Sequence, residues 1–238
     1  MIKYSLINKP RLNRRRYLKS IQRPEHLLHP RTLSGQVQKS KTRLALIEAA
    51  IPVFAKLGPD IPIIDDFAKA AGVSRGTFYN YFHATQDLLN ASMEHMSDKL
   101  AEIFLPALVG EPNSIIRFAI IARLFYEIVR LDPVFCLFLK SVPNSGDLII
   151  QHARPALEEA FADGLIIARD FELVEAIAFG VMLFEMRTIK VGQGGSKRGG
   201  DVVRAILMAL SVKPDLIARA MQASLPLLFL RISARPVT

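Results

Sequence analysis

Asp65-Asp66-Phe67-Ala68-Lys69-Ala70-Ala71-Gly72-Val73-Ser74-Arg75-Gly76-Thr77-Phe78-Tyr79-Asn80-Tyr81-Phe82 is the stretch on which the reading of the chain turns. Two short helices joined by a tight corner need small residues where they cross, a residue that tolerates positive φ in the turn, and apolar anchors that fix the angle. Ala68 and Ala71 supply the first, Gly72 the second, and Phe67, Val73, Phe78 and Phe82 the third. Ser74 is placed to cap the second helix, where a hydroxyl accepts from backbone N–H groups that lack an intrahelical partner. That helix opens on a guanidinium, a residue small enough for close approach, and a hydroxyl: Arg75, Gly76 and Thr77. Tyr79, Asn80 and Tyr81 follow with hydrogen-bonding tips. Such groups read base edges and hold phosphate oxygens when a helix lies in a major groove. Helix corners also recur in all-α proteins without that role, so the rest of the chain has to be weighed with them.

Outward from this stretch, nearly every segment after Ser40 has helical periodicity. Residues 42–57 are apolar at Leu44, Ile47, Ile51 and Phe54, spacings of three and four that share one helix face. The same pattern predicts helices over 63–71, 74–82, 87–108 with a break after Leu105, 113–131, 133–142, 147–162 and 172–191. Residues 192–200 read as a Gly-rich basic connector, Asp201 as the cap of the next helix, and Pro214 as the opening of the last. No strand alternation, hairpin signal or repeat period is present. The expectation is an all-α protein: a leader over 1–39, a helix-turn-helix domain over 40–84, and a helical bundle over 85–238.

Charge is distributed unevenly. The chain of 238 residues carries +9, yet residues 1–43 hold twelve Lys or Arg against the single Glu25, a net +11, and the other 195 residues sum to −2. A basic leader on a nearly neutral, apolar remainder points to nucleic acid or an anionic membrane surface. The leader has no apolar core of a secretory signal, and its Pro, Asn, Gly and His content reads as disordered; an organelle transit peptide and a solubilising tail are the alternatives. His26 and His29 have a metal-like spacing with no partner ligand nearby. The hydrophobic fraction is 50% and the mean hydropathy is +0.24. The longest charge-free runs, 76–86 and 220–230, are 11 residues, against the roughly 20 that span lipid, so the apolar content is expected to face protein. Cys136, the single cysteine, cannot form an internal disulfide and fits a cytoplasmic location.

The residues from Lys41 to about Leu88 resemble the N-terminal domain of the tetracycline-repressor (TetR/AcrR) family of one-component transcriptional regulators. The resemblance rests on Phe54-Ala55-Lys56-Leu57-Gly58, on the run from Ala68 to Phe82, and on Asp87-Leu88 opening the next helix. It implies base and nearby phosphate contacts from Arg75, Gly76 and Thr77, backbone contacts from Tyr79 and Tyr81, and one from the start of the fourth helix; Ser74 and Asn80 join the candidate DNA contacts on their own chemistry. There this sequence has His83 where the family has a Lys, an imidazole whose charge is only partial near neutral pH. Pro62-Ile63 stands where the family has capping hydroxyls, and Phe67 where it has Ile. Lys41 and Arg43 are close enough to the motif to reach phosphate from an N-terminal arm, and the leader would make binding steeply salt-dependent.

For the bundle the resemblance implies a homodimer through 172–191 and 201–225, binding a palindromic double-stranded DNA operator, and a small-molecule effector. Leu173, Ile177, Val181 and Phe184 occupy one face of the expected helix and Val174, Ala178, Met182 and Met186 the neighbouring one. A dimer helix and a central buried helix share that signature. An apolar or amphipathic effector is expected between 113–131, 147–162 and 172–191. Arg123, Glu127, Met182 and Met186 are the candidate contacts, with His152 and Glu185 as further polar groups. Enzyme chemistry finds no support: the five His are scattered and the run 192–197 lacks both the P-loop order and a preceding strand, so no catalytic residue, cofactor or metal is expected. The reading is a ligand-responsive repressor; a helical module tethered by its leader to an anionic membrane or an acidic partner is the alternative.

Overall fold

The computed structural model describes residues 30–189 and 197–226. Every regular element among them is an α-helix: α1 (Pro30–Leu57), α2 (Ile64–Ala70), α3 (Arg75–Tyr79), α4 (Thr85–Leu108), α5 (Ser114–Leu131), α6 (Pro133–Ser141), α7 (Asp147–Ala162), α8 (Phe171–Thr188), α9 (Lys197–Ala209) and α10 (Pro214–Gln222). By compactness the chain divides into Met1–Thr42 and Arg43–Thr238. None of the described helices is long and apolar enough to cross a membrane.

Four details of the helices differ from expectation. Helix α1 starts at Pro30, twelve residues before the apolar pattern begins, so residues 30–39 of the leader are helical. Proline suits a first turn and no other proline intervenes before Pro52, so the helix runs on with its 35–41 side chains exposed and no apolar stripe. Helix α3 is only five residues, because the backbone tightens into i→i+3 bonds, Asn80 N–H to Thr77 O at 3.2 Å and Tyr81 N–H to Phe78 O at 2.9 Å. Helix α9 starts at Lys197, which puts Asp201 inside it rather than at its cap. Pro106 lies in the last turn of α4 and does not end the helix after Leu105. The leader over 1–29 with His26 and His29, and the connector residues 192–196, lie outside the described residues.

One core runs through the unit that begins at Arg43. Phe54, Phe67, Phe78, Phe118, Phe125, Phe135 and Phe138 are fully buried in it. Helix α5 is its centre, packing on α4, α6, α7, α9 and α10. Charged side chains tie the outer helices to one another and to α5: Arg117 to Glu159 at 2.6 Å, Arg154 to Glu175 at 3.2 Å, and Arg198 to Glu185 at 2.5 Å. The helix-turn-helix rests on the bundle through α1. Ser141 Oγ on α6 donates to Ala55 O at 2.8 Å, and His95 on α4 lies 4.0 Å from Glu48.

Candidate nucleic-acid interface

The corner between α2 and α3 is fixed by backbone geometry first. Gly72 has φ +67 and follows the helix cap Ala71. Val73 N–H donates to Ala68 O at 2.9 Å and Gly72 N–H to Lys69 O at 3.2 Å, the two bonds of a Schellman turn. Underneath, Phe67 stacks on Phe54 with ring centroids 4.8 Å apart, Phe78 lies 5.9 Å from Phe82, and all four are buried. Phe67 is thus a ring partner for α1, which accounts for the larger side chain at that position. At the start of α3, Ser74 Oγ accepts from Thr77 N–H at 3.0 Å and lies 2.9 Å from Thr77 Oγ1, so the cap hydroxyl also orients the threonine.

With the anchors facing inward, Ser74, Arg75, Gly76, Tyr79 and Asn80 are exposed together, and Thr77 and Tyr81 are half-buried. Arg75 is pre-positioned: its guanidinium is 3.3 Å from Asp65, 3.4 Å from the Tyr79 hydroxyl, and 5.8 Å above the Tyr79 ring. The Tyr79 hydrogen bond and the Asp65 charge both hold the guanidinium in its charged form, above its ordinary range. A methyl group built on Gly76 meets only Ser74 Oγ, at an ordinary 3.7 Å, so the fold leaves room for a Cβ there. Arg43 sits 5.3 Å over the Phe82 ring, and Lys41 is exposed on α1. His83 is also exposed; its N–H and that of Ala84 both donate to Asp87 Oδ2 at 3.1 Å, which caps α4 and leaves the imidazole outside. Asp66 caps α2 in the same way, accepting from Ile63 N–H at 2.9 Å, so a carboxylate inside the helix replaces the hydroxyl absent at Pro62-Ile63.

The four residues expected at an effector site separate. Arg123 and Glu127 line a cavity of about 840 Å³ bounded by α5, α9 and the residues that follow α10. Met182 and Met186 are buried in the core and do not line it. Tyr126, next to Glu127, is buried with its hydroxyl unpartnered, and burial raises its pKa strongly. His152 bonds Ser97 at 3.1 Å, and Glu185 pairs with Arg198, so both are engaged between helices. Asp65, Arg130, Lys197 and Arg204 complete these two places and were missed from sequence. Spacings of three and four on α5 and α9 carried the signal for the last three.

The comparisons agree with this geometry. Residues 46–92 match the model of the bacterial regulatory proteins, tetR family. The uncharacterised HTH-type transcriptional regulator YvdT of Bacillus subtilis is 36% identical over 67 residues, 28% of this chain and 31% of that protein. The HTH-type transcriptional regulator AcrR of Shigella flexneri is 29% identical over 83 residues, 34% and 39% of the two. These matches span about a third of the length of the curated relatives. Among solved structures, RolR in complex with its ligand resorcinol superposes with a TM-score of 0.61 at 21% identity, over 80% of this chain and 98% of that one. That likeness shows a shared fold extending well beyond the helix-turn-helix. Residues 46–92 are thus similar to the tetR family of bacterial regulatory proteins, and the described chain shares the fold of RolR.

Proposed function

We propose that the protein is a sequence-specific DNA-binding repressor that binds a palindromic operator as a homodimer and releases it on binding a small apolar or amphipathic effector. The observation that carries this reading is the exposed row on α3. Arg75, Gly76 and Thr77 stand together at the start of a helix whose opposite side is anchored by Phe78. A guanidinium, an unobstructed backbone and a hydroxyl are the means of reading base edges, while Tyr79, Tyr81 and His83 hold phosphate and set register. Lys41 and Arg43 add phosphate contacts, and the leader adds sequence-independent affinity. In this reading 40–84 contact DNA, and 85–238 provide the dimer and the effector site.

Helix α8 supports the dimer. Val174, Ala178, Met182 and Met186 face the core, while Leu173, Val181 and Phe184 are exposed at 44%, 43% and 70%. An apolar outer stripe on a helix whose inner stripe is already buried fits an isologous partner surface. Ligand response is supported by the shared fold with RolR, whose structure holds resorcinol. An effector that favours one spacing of the two recognition helices over the other lowers operator affinity by the same coupling. The Ser141–Ala55 bond and the α4–α7 bonds at Ser97 are the contacts through which the bundle would act on α1 and α4.

Selection of bound sequences from a random duplex pool tests the reading. A two-fold symmetric site is expected, with binding lost in Arg75→Ala/Tyr79→Ala while the far-ultraviolet dichroism is unchanged. No enrichment at low salt, or tight binding to anionic liposomes without duplex affinity, would overturn it.

A further inference from the structure

The 840 Å³ cavity bounded by α5, α9 and residues 221–226 has the size of a small-molecule site and a charge unlike its surroundings. Arg123, Arg130, Arg204 and Lys197 line it, against the carboxylates Glu127 and Asp201. That excess of two positive charges sits in a stretch, 44–238, whose overall balance is −2. Glu127 is taken by Arg130, at 2.6 and 3.0 Å. Arg123, half-buried, donates to the carbonyls of Ala220 and Ala223 at 3.1 and 2.9 Å and so holds the end of α10 on α5. Arg204 and Lys197, both exposed, have no carboxylate partner among the described residues.

Two glycines shape the space. At Gly199 the backbone of α9 presses on α5, since a Cβ there would lie 2.6 Å from Tyr126 Cβ. One residue on, a Cβ at Gly200 would meet nothing within 4 Å, and Gly200 lines the cavity. Leu131, Met221 and Leu225 supply an apolar wall.

We infer that this cavity binds a small amphipathic organic carboxylate, its head on the Arg204 guanidinium and the Lys197 ammonium and its apolar body against Leu131, Met221 and Leu225. A guanidinium offers a carboxylate two parallel hydrogen bonds, and an ammonium adds a point charge. The resident Glu127 and Asp201 repel a second negative charge, and the apolar wall offers nothing to a polyanion, which selects a monoanion with a hydrophobic tail. This deepens the ligand-responsive reading and rests on it only for the effect on DNA, not for binding itself. It assigns the partner surface to the outer stripe of α8, Leu173, Val181 and Phe184, and leaves Arg204 and residues 221–226 to the ligand rather than to the 201–225 half of the expected interface.

Isothermal titration of the full-length protein with 4-butylbenzoate, 4-butylbenzylamine and 4-butylbenzyl alcohol compares one skeleton with three head charges. Saturable binding of the carboxylate is expected, with the amine and the alcohol at least about tenfold weaker, the loss that follows from one charge-assisted bond. Lys197→Gln/Arg204→Gln should weaken the carboxylate about tenfold, and Gly200→Leu should exclude it, with thermal melts reporting that each variant is folded. Equal binding of all three compounds, no binding of the carboxylate, or affinity unchanged in both variants overturns the inference. Operator binding followed by fluorescence anisotropy without ligand separates the two readings: its loss sinks the regulator and leaves the carboxylate site standing.

Discussion

Gly76 shows most directly what a single residue contributes. A glycine in a helix forgoes about 0.5–1 kcal/mol relative to alanine, and here the fold gives no return for it, because a methyl group would meet only ordinary contact. The bare backbone is useful to a partner that must come close to α3. Gly76→Ala is therefore expected to raise the unfolding free energy by roughly 0.4–1 kcal/mol while lowering operator affinity about tenfold, measured by denaturant titration and by anisotropy on the selected site. A variant neither more stable nor weaker in binding would refute this account. Arg75 is different, since its Asp65 and Tyr79 partners hold it in place in the free chain. The quoted stretch made Arg75 and Gly76 legible; the Asp65 partner was not, because its ten-residue separation from Arg75 closes only when the corner folds.

At the scale of elements, α4 joins the helix-turn-helix to the bundle; His95 lies on it, and His152 of α7 packs against it. His95, beside Glu48, and His152, against Ser97 and Phe104, are both held below the ordinary histidine pKa, chiefly by burial. A depressed histidine pKa means that the unfolded chain binds more protons than the folded one in the window below the unfolded value of about 6.5. Stability is then fully present above that pH and is lost as the pH falls through the window. The melting temperature should be lower at pH 5.5 than at pH 7.5, by roughly 2–4 °C per kcal/mol for a chain of this size. In His95→Gln/His152→Gln the drop should shrink; an undiminished drop would assign it to other groups. Periodicity placed α4 within two residues at its start. The cross-helix bonds of Ser97 with His152 and Gln151, more than 50 residues apart, had no local signal.

At the scale of the whole molecule, the two apolar faces of α8 meet different surroundings. From sequence its two apolar faces were equivalent. The fold distinguishes them, since α5 occupies the centre and α8 lies outside it with Phe184 70% exposed. Phe184→Arg should leave the fold of the single chain within about 0.5 kcal/mol, as surface changes do, and convert the protein to a monomer in sedimentation experiments with weaker operator binding. A variant that still sediments as a dimer would place the interface elsewhere.

The sequence alone determined the all-helical class, the corner at Gly72, the cap at Ser74 and the identity of the α3 groups, because each follows from residues within one or two turns of one another. It also located the basic leader, since charge is counted without a fold. Only the tertiary structure decided which side of α8 is outside, that Met182 and Met186 are core while Arg123 and Glu127 reach a cavity, and that Lys197 and Arg204 join them there. Those outcomes depend on how helices distant in sequence pack against α5, and a helical period records that a face is apolar without recording what covers it.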